Sequence, residues 1–285
     1  WEESAGKING FTMAETVLTG RYFCDACVLG CGRKVKIERG PYAGVDGAGP
    51  EYETLALLGS SCLIDNLEAL CFANELCNRF GLDTISTGGA VAFGMEAYEK
   101  GLIDREDTGG IELQWGNAGA LIEMIQRIAQ KKGFGEILGK GVKRASEEMG
   151  KNSVEFAMHI KGLELPAHDP RGYNAGAVGF ATSSRGACHL AGLSHTFERL
   201  LKAPEIGIPE PLDRFQVEGK GILAAKSQNV MGMMDSLKLC KFILFGGITL
   251  THIVKWYHDV TGKEMTIDDF MKTGERIFNL KRLYN

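Results

Sequence analysis

A mostly helical fold, all-α apart from a few short strands, follows from three features of the sequence. Apolar residues recur at helical spacing through most of its length. Those stretches are bracketed by capping residues, with Asp, Asn or Thr before them and glycine after. Strand-like pieces are confined to Lys34 to Ile37 and Phe156 to Ile160, too little for a sheet-based domain. No G-x-G-x-x-G follows a strand and no G-x4-G-K-[ST] occurs, so a nucleotide-binding α/β fold is unsupported.

The elements read as follows. Asp65-Asn66-Leu67-Glu68 has the form of a capping box, with Asp65 at the N-cap and Glu68 three positions on. It opens a helix with Leu67, Leu70, Cys71, Asn74 and Cys77 on one face, closed by Gly81. Asp83-Thr84 starts a second helix that continues to about Tyr98 and stops at Gly101. Asn117 caps a third, carrying Leu121, Ile122, Ile125 and Ile128, which ends at Gly133. A fourth spans about Glu136 to Met149, and further helices fit 213–239, 248–261 and 266–283. The glycine-rich, uncharged stretch from Gly172 to Gly192 reads as a loop suited to lining a ligand. A boundary near 105–117 would divide a cluster-binding helical domain, 1–110, from a second helical lobe, 111–285.

Composition narrows the function. Of 285 residues, 32 are Lys or Arg and 36 are Asp or Glu, a formal charge of −4. A general nucleic-acid binder would carry a basic excess instead. Hydrophobic content of 44% and charged content of 24% are those of an ordinary globular protein. The longest uncharged run, Phe242 to Val254, has 13 residues, short of the ~18 needed to span a membrane. No signal peptide or anchor is visible, and neither membrane nor nucleic acid is expected as a partner. The 38 glycines imply many tight turns and close backbone approaches. The chain starts at Trp1 and ends while an amphipathic pattern (Ile277, Leu280, Leu283) is still running, which suggests a piece of a longer protein.

The eight cysteines carry the chemistry. Cys24, Cys27 and Cys31 form C-x2-C-x3-C, three soft donors within eight residues. Zinc sites usually add a second close pair of ligands, and none follows here, so an iron–sulfur cluster is the better reading. A cubane needs a fourth ligand. Cys62, beyond thirty intervening residues, and Cys240, after a helix-like run, are both candidates on spacing alone. Cys71 and Cys77 lie in helical stretches, where small buried cysteines are common.

Six ordered motifs then resemble the tungsten-containing aldehyde:ferredoxin oxidoreductase family, specifically its second and third domains. They are Cys24 to Arg33; Gly49-Pro50-Glu51-Tyr52-Glu53-Thr54; Arg79 to Gly89; Leu163 to Gly172; Arg185-Gly186-Ala187-Cys188-His189; and Asp235-Ser236-Leu237-Lys238-Leu239-Cys240. The resemblance implies a fragment without the family's N-terminal pterin domain and C-terminal tail. It also implies one 4Fe–4S cluster on Cys24, Cys27, Cys31 and Cys240, and tungsten or molybdenum on two pterin dithiolenes shared with the missing domain. Each pterin motif has the form D-x-x-G-L-C/D. Here the motifs read Asn78 to Asp83 and Asp235 to Cys240, so the cofactor-binding residues implied are Asn78, Leu82, Asp83, Asp235 and Leu239, with Arg185 suited to a phosphate. Asn78 stands where the first motif has aspartate and Lys238 where the second has glycine, departures expected to weaken pterin contact.

The resemblance further makes Glu53 and His189 the catalytic pair. On residue type alone, Glu51 and Glu53 read equally as solvated helix-start carboxylates, and a lone histidine in a glycine-rich loop as an ordinary polar residue. The activity implied is oxidation of an aldehyde to a carboxylic acid, with electrons passed through the cluster to ferredoxin in an anaerobic cytoplasm. The isolated fragment would be inactive. Family members that dimerise through an interface iron use E-x-x-H; the matching positions are Phe72 and Glu75, so a homodimer here would form without that iron. Two readings compete: a tungsten-dependent aromatic acyl-CoA reductase subunit of the same superfamily, and an electron-transfer module holding only a cluster. The molybdenum bis-pterin enzymes also begin with C-x2-C-x3-C, and they would favour Cys62 as the fourth ligand.

Overall fold

The computed structural model describes residues 1–284 and divides into two compact units, Trp1–Ala167 and the residues from His168 onward. The mostly helical fold expected from the sequence is what forms. In the first unit, α1 (Glu2–Lys7) and α2 (Gly10–Thr16) lead into a small antiparallel sheet of β1 (Leu18–Tyr22), β2 (Gly32–Lys36) and β3 (Asp46–Ala48), in that order. Tyr22 faces Gly32 and Lys34 faces Ala48 across the ladder, and fully buried Val35 anchors the sheet to the core. Helix α3 (Tyr52–Thr54) continues into a π-helical turn, Leu55–Gly59, and a 3-10 turn, Ser60–Cys62.

Two long helices follow, α4 (Leu67–Phe80) and α5 (Thr84–Glu99). The α4 cap differs from the one expected. Asn66 is the N-cap, accepting from Ala69 N at 3.0 Å, while Asp65 turns away to pair with Lys7 Nζ at 2.7 Å and to accept from Ser4 Oγ. Both residue types cap well, and a tertiary charge partner decides between them. Asp83 caps α5, accepting from Ser86 N at 2.7 Å, and Asn117 caps α6 (Ala118–Gln130), accepting from Ala120 N, as the sequence predicts.

The fourth helix expected over 136–149 is two: α7 (Phe134–Leu138) and α8 (Val142–Met149). Gly141, at φ +87°, breaks the run. The buried Glu164 carboxylate then caps α8 by accepting from Val142 N at 2.7 Å. Glu164 ends the short hairpin β4 (His159–Ile160) and β5 (Leu163–Glu164). Residues 111–167 pack with the first unit rather than opening a new lobe, since Leu121, Met124 and Ile125 share a core with Leu70 and Met95.

In the second unit the stretch read as loop, 172–192, contains α9 (Asn174–Thr182). Its small residues let it pack closely, and Gly179 lies where a Cβ would press on Ser194 Oγ at 3.2 Å. Helix α10 (Lys220–Ser236) starts seven residues later than expected, after Gly219 at φ +79°. It is followed by α11 (Leu250–Thr261) and α12 (Ile267–Tyr284). The core gathers Leu193, Phe197, Leu223, Met231 and Phe270. Helices α10 and α12 cross where Gly274 meets the Asn229 carbonyl so closely that any Cβ would overlap it. The buried Lys220 ammonium pairs with Glu198 at 2.5 Å, and Glu198 also accepts from Ala175 N at 3.0 Å, fixing the start of α9. No single helix among the described residues is long and apolar enough to cross a membrane.

Candidate functional site

The three clustered cysteines lie on the connection between β1 and β2. Cys24 and Cys31 are exposed and Cys27 is half-buried. A turn closed by Cys27 N donating to Cys24 O at 3.1 Å brings the first two together. Ala26 and Gly30 adopt left-handed backbone, at φ +55° and +56°. Arg21 stakes the loop by donating from Nε to Gly30 O (2.7 Å) and from a terminal nitrogen to Leu29 O (2.6 Å). A Cβ at Gly30 or Gly32 would displace the ring of Phe23 or Tyr22, which lies over each glycine.

Cys62, Cys71 and Cys77 differ in kind. All three are buried, and burial pushes each thiol up to about 12. Cys62 donates its S–H to Leu57 O and Gly88 O within the core. Cys62, Cys71 and Cys77 thus sit as neutral thiols in the core, while Cys24, Cys27 and Cys31 lie together on one loop.

The two pterin-type motifs have one backbone design. In the first unit Leu82 N donates to Cys77 O (2.8 Å) and Gly81 N to Asn78 O (3.3 Å), with Gly81 left-handed at φ +67°. In the second, Leu239 N donates to Met234 O (2.9 Å) and Lys238 N to Asp235 O (3.2 Å), with Lys238 left-handed at φ +59°. Both are Schellman caps. Each is followed two residues after the left-handed position by the cap of the next helical segment, Asp83 for α5 and Cys240 for the 3-10 turn Lys241–Gly246. The Lys238 departure therefore leaves the turn intact and only adds a side chain.

These caps fit a flat, hydrogen-bonding ring. Nothing lies within 4 Å of a Cβ position on Gly81. Asn78, Asp83 and Asp235 are exposed, while Leu82 and Leu239 are half-buried beside them. Arg185 is exposed, on a turn held by its own N–H donating to Ser183 Oγ at 3.3 Å and by Gly186 at φ +92°.

The structure separates the two glutamates of Pro-Glu-Tyr-Glu. Glu51 pairs with Arg33 at 2.6 Å. Glu53 is half-buried and accepts from Ala167 N at 2.7 Å through Oε2, while Tyr52 OH donates to Ala167 O at 3.1 Å. The adjoining Thr54 is buried and shares a hydroxyl hydrogen bond of 2.9 Å with Thr84, the first residue of α5. The π-helical turn after Thr54 wraps over α5 at Gly88, where a Cβ would lie 2.5 Å from the Leu57 backbone. Such turns recur at functional sites because they re-aim side chains without ending the helix.

In the second unit His189 opens a 3-10 turn, His189–Ala191, and belongs to a cluster of three imidazoles. His168 lies 4.9 Å from His189 by ring centroid and stacks on His195 at 4.0 Å, while Tyr173 meets His195 edge-on. His195 is buried. Desolvation above all, then the charges of His168, His189 and Arg199, bring it down to about 3. It is a neutral platform near pH 7 and a poor proton acceptor.

His168 and His195 were not singled out as site residues from the sequence. His168 sits inside the motif Leu163 to Gly172, and that position was its only signal. His195 has no spacing signal at all.

A mostly helical two-unit chain with a cysteine-loop hairpin and twin helix caps matches one family of enzymes. The family model "Aldehyde ferredoxin oxidoreductase, domains 2 & 3" matches residues 1–285, and the chain belongs to this family. It is 38% identical over 280 residues to the tungsten-containing aldehyde ferredoxin oxidoreductase of Pyrococcus furiosus, covering 97% of the chain and 44% of that protein. The corresponding protein of Thermococcus kodakarensis is 36% identical over 99% of the chain and 45% of its own length. The chain thus spans somewhat less than half of these relatives. Its fold is shared with the BamBC active-site complex of benzoyl coenzyme A reductase, with a TM-score of 0.70 at 18% identity, over 95% of the chain and 46% of that one.

Proposed function

We propose that this chain supplies the cluster ligands, two pterin-holding caps and the acid–base residues of a tungsten–pterin oxidoreductase that converts aldehydes to carboxylic acids. The overall change is R–CHO + H2O → R–COOH + 2 H⁺ + 2 e⁻. The observation that carries the reading is the repetition of one Schellman cap at Asn78–Asp83 and Asp235–Cys240, in the two stretches where the family motif falls.

When bound, the metal–dithiolene group would supply two-electron redox chemistry and the cluster a route for single electrons. The chain's own part is binding and proton handling. Asn78, Asp83 and Asp235 offer oxygen acceptors to amino-rich rings, Leu82 and Leu239 flank them, and the Arg185 guanidinium suits a phosphate. Cys24, Cys27, Cys31 and Cys240 are the proposed cluster ligands. The buried, hydrogen-bonded Cys62 thiol argues against that residue as the fourth. Glu53, whose carboxylate accepts from Ala167 N, is the proposed acceptor of a proton from water. His189, beside the His168 ring, is the proposed residue that donates or relays one. Ferredoxin is the proposed electron acceptor.

The test is Glu53→Gln in the anaerobically purified holoenzyme. Turnover with aldehyde and a low-potential dye should fall about 10²–10⁴-fold, the loss expected of a general base, while tungsten, iron and the cluster EPR signal stay unchanged. Retained turnover refutes the assignment of Glu53. A parallel assay with aromatic acyl-CoA thioesters distinguishes the acyl-CoA reductase reading, and Cys240→Ser against Cys62→Ser, read by EPR, fixes the fourth ligand.

A further inference from the structure

We infer that Lys241 is a positioning residue that ties the second cap carboxylate, Asp235, to the turn bearing His189. Lys241 directly follows Cys240 and opens the 3-10 turn Lys241–Gly246. Its side chain is only 12% exposed, uncommon for lysine, and its ammonium makes two contacts at once. Nζ lies 2.9 Å from Asp235 Oδ1 and donates to Leu190 O at 2.6 Å. Leu190 is the residue after His189, within the same 3-10 turn.

An ammonium largely withdrawn from water is costly unless it is paired and hydrogen-bonded, and these two acceptors offset that cost. With one oxygen held by the lysine, the Asp235 carboxylate cannot rotate freely, and Oδ2 keeps a defined direction as an acceptor. Pulling on the Leu190 carbonyl fixes the turn from which the His189 imidazole projects. Lys241 therefore orients a proposed pterin acceptor and a proposed proton carrier through one charge.

The first unit obtains the same result by other means. Asp83 is oriented by the N–H of Ser86 at the start of its own helix, and the turn carrying Glu53 is fastened to that helix by the Thr54–Thr84 hydroxyl pair. Cys240, at the corresponding place in the second unit, has no carboxylate to serve as a cap. The lysine beside it supplies the missing tie.

The inference rests on the reading of Asp235 as a pterin-holding residue, so the experiment includes that residue separately. Lys241→Met, Lys241→Arg, Asp235→Asn and the Lys241→Met/Asp235→Asn double variant are purified anaerobically as holoenzyme. Pterin is quantified per iron, and hydrogen–deuterium exchange is followed over 188–193. Lys241→Met should lower pterin per iron about tenfold, as Asp235→Asn does, with no further loss in the double variant. Lys241→Arg, which keeps the charge, should retain more pterin than Lys241→Met. Exchange over 188–193 should speed several-fold in Lys241→Met but not in Asp235→Asn. A full pterin complement in Lys241→Met alongside loss in Asp235→Asn overturns the tie, as does unchanged exchange over 188–193 or a parallel loss of iron and pterin. If Asp235→Asn itself keeps its pterin, the cap assignment under the proposed function fails instead.

Discussion

Replacing Lys238 by glycine should make the second unit more stable, although it removes a charge and adds no contact. The backbone at 238 has φ +59°, in the left-handed region, where an L side chain costs roughly 1–2 kcal/mol and glycine pays nothing. Glycine loses more conformational freedom on folding, which returns about 0.5–1 kcal/mol of that gain. The side chain is exposed and no hydrogen bond is lost with it. The balance favours Lys238→Gly by about 0.5–1 kcal/mol. Urea unfolding should show a higher midpoint at unchanged slope, the signature of a stability change alone. Lys238→Ala serves as the control, since alanine strains the same backbone and should leave the midpoint where it was. Gly81, at φ +67° in the matching cap, should respond in the opposite sense, with Gly81→Ala costing about 1 kcal/mol. A destabilised Lys238→Gly, or a Lys238→Ala equal to it, would refute the argument that the left-handed cap is strained.

Three further outcomes follow from the second unit. Gly274→Ala forces a Cβ onto the Asn229 carbonyl, so α10 and α12 must separate, and thermal unfolding should show a loss of at least ~2 kcal/mol. Lys220→Met leaves the Glu198 carboxylate buried without its counter-charge and should cost about 3–5 kcal/mol by denaturant titration; Lys220→Met with Glu198→Leu should recover much of that. His195 supplies a pH dependence. Its folded pKa, about 3, lies below the ordinary 6.5, so the unfolded chain binds the proton that the native one refuses. That contribution to stability is complete above pH ~6.5 and is lost as pH falls toward 3. It amounts to about 1 kcal/mol between pH 7.5 and 5.5. His195→Phe should flatten that slope, measured as unfolding midpoint against pH, and an unchanged slope would contradict a buried neutral imidazole.

Much of the fold was legible because local chemistry and tertiary structure agree. Asp83 and Asn117 cap the helices the sequence assigns them, and Gly81 ends α4 with the left-handed turn that glycine favours. The failures trace to partners distant in sequence and to glycines that turn left-handed inside a helical pattern, Gly141 and Gly219. Asp65 is drawn off its cap by Lys7, and Glu164 starts a new helix at Val142 in the middle of what reads as one. Helix α9 hides in a glycine-rich stretch because its small residues serve close packing and not a loop. In the candidate site, the loop cysteines stand out by spacing. The contrast between them and the core thiols needs burial, which spacing does not report. Lys241 and His195 carry no local pattern and emerge only from what they touch.

The twin caps also show which features of the site tolerate change. In both, the bonds that shape the turn run between main-chain atoms: the carbonyls of Asn78 and Asp235 accept, and the N–H groups of Gly81 and Lys238 donate. Asparagine in place of aspartate at 78 therefore leaves the turn alone and only reduces the acceptors its side chain can offer from a carboxylate's two oxygens to one. Lysine at 238 likewise keeps the path of the chain and raises its energy. The left-handed turn is thus the invariant part of each proposed pterin site, and the side chains mounted on it are the adjustable part. Positioning of those side chains falls to groups outside the caps: Ser86 N for Asp83 and the Lys241 ammonium for Asp235. A substitution inside either six-residue motif should then leave the turn folded, because main-chain bonds hold it, whereas loss of a cap carboxylate or of the group that aims it should loosen the pterin alone.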